Sequence, residues 1–148
     1  MLEFRYGLPR RFYSILDASY SIGFSKFLLN ELGIIPAKQF IVDDTPDEYK
    51  EVIIEEFKNI SEFRSAKVEF NVDAGAVQIE IEKESKEDRA LIIGSGWDRD
   101  LAIKLNADLL IVSVPVTYRL VLNCGYAGYN GGLRVIEDIY DRVLNTYR

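Results

Sequence analysis

Two short apolar runs, joined by a glycine turn and a stretch of mixed polarity, limit what this chain can become. Leu91-Ile92-Ile93 and Leu109-Leu110-Ile111-Val112 show no polar alternation, so each is read as a strand covered on both faces. Gly94-Ser95-Gly96 turns the chain after the first run, and Trp97 to Asn106 is read as a helix. Neighbouring parallel strands need such a crossover. In open sheets of this kind a ligand sits beyond the carboxyl ends of the strands. Gly94 to Arg99 is therefore the expected wall of any site.

The rest of the chain repeats the same alternation. Phe12 to Leu16 is read as a strand and Asp17-Ala18-Ser19 as a turn. A helix follows, with Tyr20, Phe24, Phe27, Leu28 and Leu32 on one face and Gly33 as its left-handed end. Gln39 to Val42 reads as the next strand, ended by Asp43-Asp44. Thr45-Pro46-Asp47-Glu48 reads as a helix start, with Thr45 as cap, Pro46 in the first position and Glu48 closing a capping box. Tyr49, Ile53, Phe57 and Ile60 are that helix's expected buried face.

Val68 to Val72 alternates polar and apolar residues, as an edge strand with one wet face does. In AGAVQIEIEKESKE the residues Val77, Ile79 and Ile81 alternate like a strand, while Asp73 and the charged end suit a capped helix. A parallel neighbour needs a crossover here, so the segment is read as helix. Tyr118 to Gly132 is read as a long loop. Asn130 is read as the cap of a last helix carrying Ile136, Ile139, Tyr140, Val143 and Tyr147. Five strands alternating with five helices predict a doubly wound α/β/α sandwich with a mostly parallel five-stranded sheet in the order 3-2-1-4-5.

Composition excludes several function classes. The 148 residues are the size of one domain, and 48% are apolar, enough for a core. A net charge of −6 argues against a nucleic-acid surface. No apolar run reaches the length of a membrane span. The start, MLEFRYGLPRR, lacks the apolar centre of a secretory leader. One cysteine permits no internal disulfide and suits a reducing cytoplasm. Histidine is absent, which removes the commonest general base and metal ligand.

Each motif has a plain structural reading beside a functional one. Gly94-Ser95-Gly96 resembles part of a dinucleotide fingerprint, but Arg99 stands where the third glycine belongs and the loop follows the fourth strand, not the first. A tight turn accounts for it. Asp43 and Asp44 sit where a ribose is held in some folds, and a solvated turn explains them too. Lys83 to Arg89 reads as a wet helix end. Cys124 alone builds no zinc or iron–sulfur site; it is read as a small buried residue, or as one thiolate at an interface.

From Arg99 to Leu144 the order of motifs resembles the C-terminal part of nitrogenase component 1-type oxidoreductases. The carriers are Ile92-Ile93-Gly94-Ser95, then Arg99-Asp100-Leu101-Ala102 with Lys104-Leu105, Val114-Pro115-Val116, and Gly128-Tyr129-Asn130-Gly131-Gly132 entering the last helix. Arg11 to Gly33 resembles the family's first strand and helix. That family includes the nitrogenase molybdenum–iron subunits, cofactor-assembly scaffolds and protochlorophyllide reductase subunits. The resemblance implies one Rossmann-like domain of three, at residues 12–148, behind a lead-in or cut linker at 1–11. The start at Met1, just before the first strand, is read as a cut from a longer chain.

The resemblance further implies a wall of a metal-cluster or substrate cavity between domains, inactive alone, with sister domains or subunits and an ATP-dependent reductase as partners. An iron–sulfur or molybdenum–iron-type cluster is expected in the full assembly and none in this domain by itself. The family's cofactor-binding subunit has a histidine where Ala127 stands here. Topology nominates Asp17, Ser19, Gly94, Ser95, Gly96 and Arg99 for the crevice, with Tyr126, Tyr129 and Asn130 as its lid and Arg99 facing an anion. The competing reading is a stand-alone flavodoxin-like or chelatase-like module for a small anionic ligand or a tetrapyrrole.

Overall fold

The computed structural model describes residues 7–85, 89–117 and 125–146. Expectations at Met1–Tyr6, Lys86–Asp88, Tyr118–Cys124 and Tyr147 lie outside the described residues. The elements are β1 (Arg11–Leu16), α1 (Ala18–Leu32), β2 (Ile35–Ile41), α2 (Asp47–Lys58), β3 (Lys67–Phe70), α3 (Ala74–Glu84), β4 (Leu91–Gly94), α4 (Arg99–Lys104), β5 (Asp108–Ile111) and α5 (Gly128–Thr146). The strands form one parallel sheet in the order β3-β2-β1-β4-β5. β4 and β5 are adjacent and run the same way, with Ile92 opposite Leu109 and Ile93 opposite Leu110.

Successive residues of a strand point to opposite faces, and here both faces are covered. Phe12, Leu16, Leu91 and Ile93 meet Phe24 and Leu28 of α1 and Val135 and Ile139 of α5. Tyr13, Ile15 and Ile92 meet Val77 and Ile81 of α3 and Leu101 of α4 on the other side. Phe57 of α2 closes a third cluster with Ile41 and Ile60. This double cover is why the β4 and β5 sequences carry no polar alternation.

Several details differ from the sequence reading. β2 begins at Ile35, earlier than Gln39, and includes Pro36. The register slips between Phe12 and Tyr13, so Ala37 is bulged out of the pairing, which is where a strand tolerates proline. In α1 the buried positions are Ser21, Phe24, Ser25 and Leu28, and Tyr20 is 52% exposed. The helix presents small hydroxyls to the sheet because polar groups await them there. The hydroxyls of Ser14 and Ser21 are 2.7 Å apart, and Ser25 Oγ donates to Gln39 Oε1 at 3.4 Å.

α2 is preceded by Pro46 with no side-chain cap, not by a Thr45 capping box. Thr45 Oγ1 instead donates to Asp43 Oδ1 at 3.0 Å, and Tyr49 is exposed. The Asp43-Asp44 pair lies in an exposed turn. α3 is a helix as topology required, capped by Asp73, whose Oδ1 accepts from Gly75 N and Ala76 N. The single helix expected at Trp97–Asn106 is a 3-10 turn, Gly96–Asp98, leading into the short α4. α5 starts at Gly128, so Asn130 lies in its first turn and does not cap it. Its buried face is Val135, Ile139 and Val143, with Ile136 and Tyr140 half-buried. Arg89, read as part of a wet charge run, is instead half-buried and pairs with the buried Asp108 at 2.7 Å.

Candidate functional site

The sheet order reverses between β1 and β4, so their carboxyl ends mark the switch point. Asp17 follows β1 and Ser95 follows β4. Asp17 is spent on its own helix: its Oδ1 accepts from Tyr20 N at 3.1 Å. Ser95 and Asp98 close the turn after β4. Asp98 Oδ2 accepts from Ser95 N at 2.8 Å and Ser95 Oγ at 3.1 Å, while Ser95 Oγ accepts from Trp97 N at 3.2 Å. Gln78 Nε2 donates to the other Asp98 oxygen at 3.2 Å. The buried Asp98 carboxylate is therefore the centre of the turn. Its sequence signal, a serine three residues before an acid, is the capping-box pattern.

Both turn glycines are required by close approach. A Cβ on Gly94 would run into the Asp98 carboxylate, and one on Gly96 would lie 2.7 Å from the Pro115 carbonyl oxygen. That carbonyl accepts from Gly96 N at 2.8 Å. The turn is thus pinned to the chain that leaves β5.

Beside it, between α1 and the first turns of α5, lies a groove of about 630 Å³. Its walls include Ser19, Tyr20, Gly23, Phe24, Phe27 and Val135, together with the segment Tyr126–Tyr129. The Phe24 ring meets Tyr126 edge-on at 5.9 Å and lies near-parallel to Tyr20 at 6.3 Å. The Tyr126 hydroxyl donates to Asp138 Oδ2 at 2.5 Å, and Arg134 holds the other Asp138 oxygen at 3.1 Å. Asp138 was not singled out from the sequence, because its partner Tyr126 stands outside α5, too far along the chain for helical spacing to pair them.

Of the nine nominated residues, Ser19, Tyr126 and Tyr129 share this groove. Asn130 is exposed on the first turn of α5. Gly94, Ser95 and Gly96 build the neighbouring turn. Arg99 opens α4 and lines a separate recess of about 460 Å³ with Asn106, Asp108, Arg142 and Asn145.

Around this carboxyl-end rim large apolar side chains face outward: Tyr20, Trp97, Val114 and Leu133, with Tyr129 fully exposed. Others are exposed elsewhere, Val52, Phe63 and Ile103 among them; a contiguous exposed apolar patch is what marks an interaction surface. The described residues lining the groove include no thiolate, imidazole or carboxylate, the donors iron–sulfur and molybdenum–iron-type clusters take. Among the described residues no group of three or more His, Cys, Asp or Glu is placed to hold a metal ion. No helix among them is long and apolar enough to cross a membrane.

The groove depends on one more glycine. A Cβ on Gly131 would lie 2.9 Å from the Tyr126 Cα and closer still to its carbonyl. Gly131→Ala is expected to lower stability by about 1–3 kcal/mol, the usual range for overpacking. It should also speed amide exchange at residues 126–128. Unchanged denaturation and exchange would show that the approach is not that tight.

A sequence model described as "Nitrogenase component 1 type Oxidoreductase" matches residues 6–144. Ten chains of solved structures match. One, "Nitrogenase Cp1 at pH 6.5", superposes with a TM-score of 0.76 at 22% identity over 97% of this chain. The match spans 30% of that structure's chain. No curated protein matches at a significant level.

Proposed function

The chain belongs to the nitrogenase component 1-type oxidoreductases, and on that premise we propose that residues 12–148 work as one Rossmann-like domain of a larger cytoplasmic oxidoreductase. Its carboxyl-end rim forms one wall of a cavity and packs against sister domains or subunits. The observation carrying this is the exposed apolar rim, Tyr20, Trp97, Val114, Tyr129 and Leu133, around a 630 Å³ groove.

Asp17 and the Gly94-Ser95-Gly96 turn shape the floor beside that wall, and Ser19, Tyr126, Tyr129 and Asn130 form its lip. Arg99 supplies a positive charge to the adjoining recess. In such an assembly iron–sulfur or molybdenum–iron-type clusters supply multi-electron reduction, and an ATP-dependent reductase delivers the electrons. The groove residues described here do not fit as ligands to a cluster; their part is to shape and exclude water from a wall.

Native mass spectrometry of the protein co-expressed with the other nitrogenase component 1-type chains of its genome tests the reading. A stable complex is expected, lost in the double variant Trp97→Glu/Tyr129→Glu. Both positions are well exposed, so the fold should survive. A protein that stays monomeric beside every such chain would instead favour the stand-alone module.

A further inference from the structure

We propose that the outer edge of β5 pairs with an extended, acidic segment of a partner chain, which lies as an added strand in the recess between α4 and α5. It rests on the part given above to Arg99 and deepens it, on a surface apart from the rim.

The ladder fixes which groups face outward. β5 ends the sheet order, so β4 is its neighbour on one side and no strand among the described residues pairs with the other. Asp108 N donates to Ala90 O at 3.0 Å, and Val112 N to Gly94 O at 3.0 Å. In a parallel ladder alternate residues bond the same neighbour. Asp108, Leu110 and Val112 therefore serve β4, while the N–H and C=O groups of Leu109 and Ile111 point away from it. Leu109 and Ile111 both line the recess of about 460 Å³. Its other walls include Arg99 and Ile103 of α4 and Arg142 and Asn145 of α5. α4 packs on one face of the sheet and α5 on the other. A recess that both helices share with β5 runs along the outer edge of that strand.

The two edges of the sheet are built differently. Open edges are commonly guarded by charge, proline or a bulge. β3 carries Lys67 and Glu69. β5 has Asp108 as its one charged residue, and that carboxylate is buried and held by Arg89 at 2.7 Å. Leu109, Leu110 and Ile111 follow it. Such an edge is a template for strand addition, in which main-chain bonds supply affinity and side-chain contacts supply choice.

Charge sets the choice here. In a chain of net charge −6 the recess draws Arg99 from one helix and Arg142 from the other. Side chains of an added strand alternate between the two faces, so carboxylates on either side can meet a guanidinium. Each guanidinium has several N–H donors and can take a carboxylate beside the interaction it already makes. Ile103, 66% exposed, and the half-buried Leu109 offer apolar contact in the same recess.

The test is amide exchange followed by NMR, with the capped peptide Glu-Glu-Val-Val-Glu-Glu as probe. In the protein alone the Leu109 and Ile111 amides should exchange well ahead of those of Asp108 and Leu110. Saturating peptide should slow them. Two versions of the peptide, N-methylated at alternate residues, should separate into one that binds and one that does not, because only one edge of an added strand faces β5. Arg99→Gln/Arg142→Gln should weaken binding about tenfold, and the counterpart Lys-Lys-Val-Val-Lys-Lys should not bind. Phe63→Ser, ahead of β3 at the opposite edge, should leave binding unchanged. The exchange and peptide arms use the parent protein, so they decide the matter even if the double variant unfolds. Slow exchange at Leu109 and Ile111 in the protein alone would mean that its own chain or a second copy covers the edge, and would overturn the proposal. Failure of the acidic peptide to bind, or equal binding by both methylated versions, by the lysine peptide or by a folded arginine variant, would overturn it too. If the peptide fails while the rim complex forms, only this proposal falls. If the complex fails while the peptide binds as expected, only the assembly reading falls.

Discussion

Phe12→Ala lowers the unfolding free energy by about 3–5 kcal/mol in a urea titration, the range for truncating a fully buried phenylalanine. Phe12 has no exposed surface and stands in β1, the central strand of the sheet. It pairs in register with Pro36 of β2 and Leu91 of β4. Its ring packs in the cluster that joins α1 and α5 to the sheet, so truncation leaves a cavity under two helices at once. Domains of this size are stable by about 5–15 kcal/mol, so the variant should lose a large fraction of that. Phe12→Leu, which keeps most of the volume, should cost distinctly less. Equal midpoints for parent and alanine variant would mean that the cluster collapses without penalty and that the sheet is not seated as described.

The second large effect is expected at Lys38. Its Nζ pairs with Glu69 Oε2 at 2.6 Å and also with Glu80, joining β2, β3 and α3, and it lies 5.1 Å from the centre of the Phe40 ring. Only 13% of the lysine side chain is exposed. Lys38→Met leaves two carboxylates facing each other without their cation, at a cost of about 2 kcal/mol.

The pH dependence identifies the cause. Burial alone would push the Lys38 ammonium down, but the bonds to Glu69 and Glu80 outweigh it and raise its pKa above the ordinary 10.5. The hydrogen bond from Lys38 is the main reason the Glu69 pKa falls below 4.5, against an opposing desolvation. A lowered carboxyl stabilises the fold above its unfolded pKa, and that contribution disappears as pH falls through the folded value. A raised amine stabilises below its unfolded pKa, and that contribution disappears as pH rises through the folded value. The stability difference between parent and Lys38→Met should therefore be widest from about pH 5 to pH 10 and narrow beyond both ends. A difference that is flat across pH would assign the loss to packing of the lysine stem on Phe40.

The strand order shows what a single chain reveals unaided. Runs such as Leu91–Ile93 must be covered on both faces, and parallel neighbours must be joined by helices. Those two demands leave few ways to wind five alternating units, and 3-2-1-4-5 is one the structure adopts. Local caps at Gly33 and Asp73 were legible too, because each is a bond or a backbone angle within a few residues of its own position.

What could not be read locally was which side of a helix the sheet would want. Tyr20 and Tyr49 look like core residues by spacing and face solvent, while Ser21 and Ser25 are buried because Ser14 and Gln39 wait opposite. The groove belongs to the same category. Ser19 and Tyr126 stand far apart in sequence and share a wall only after α5 has packed beside α1. The amino-acid order decided the layers and their winding, since burial of apolar runs acts on every residue alike. Only the folded chain decided the site, since that depends on which side chains from distant segments come to face one another across a gap.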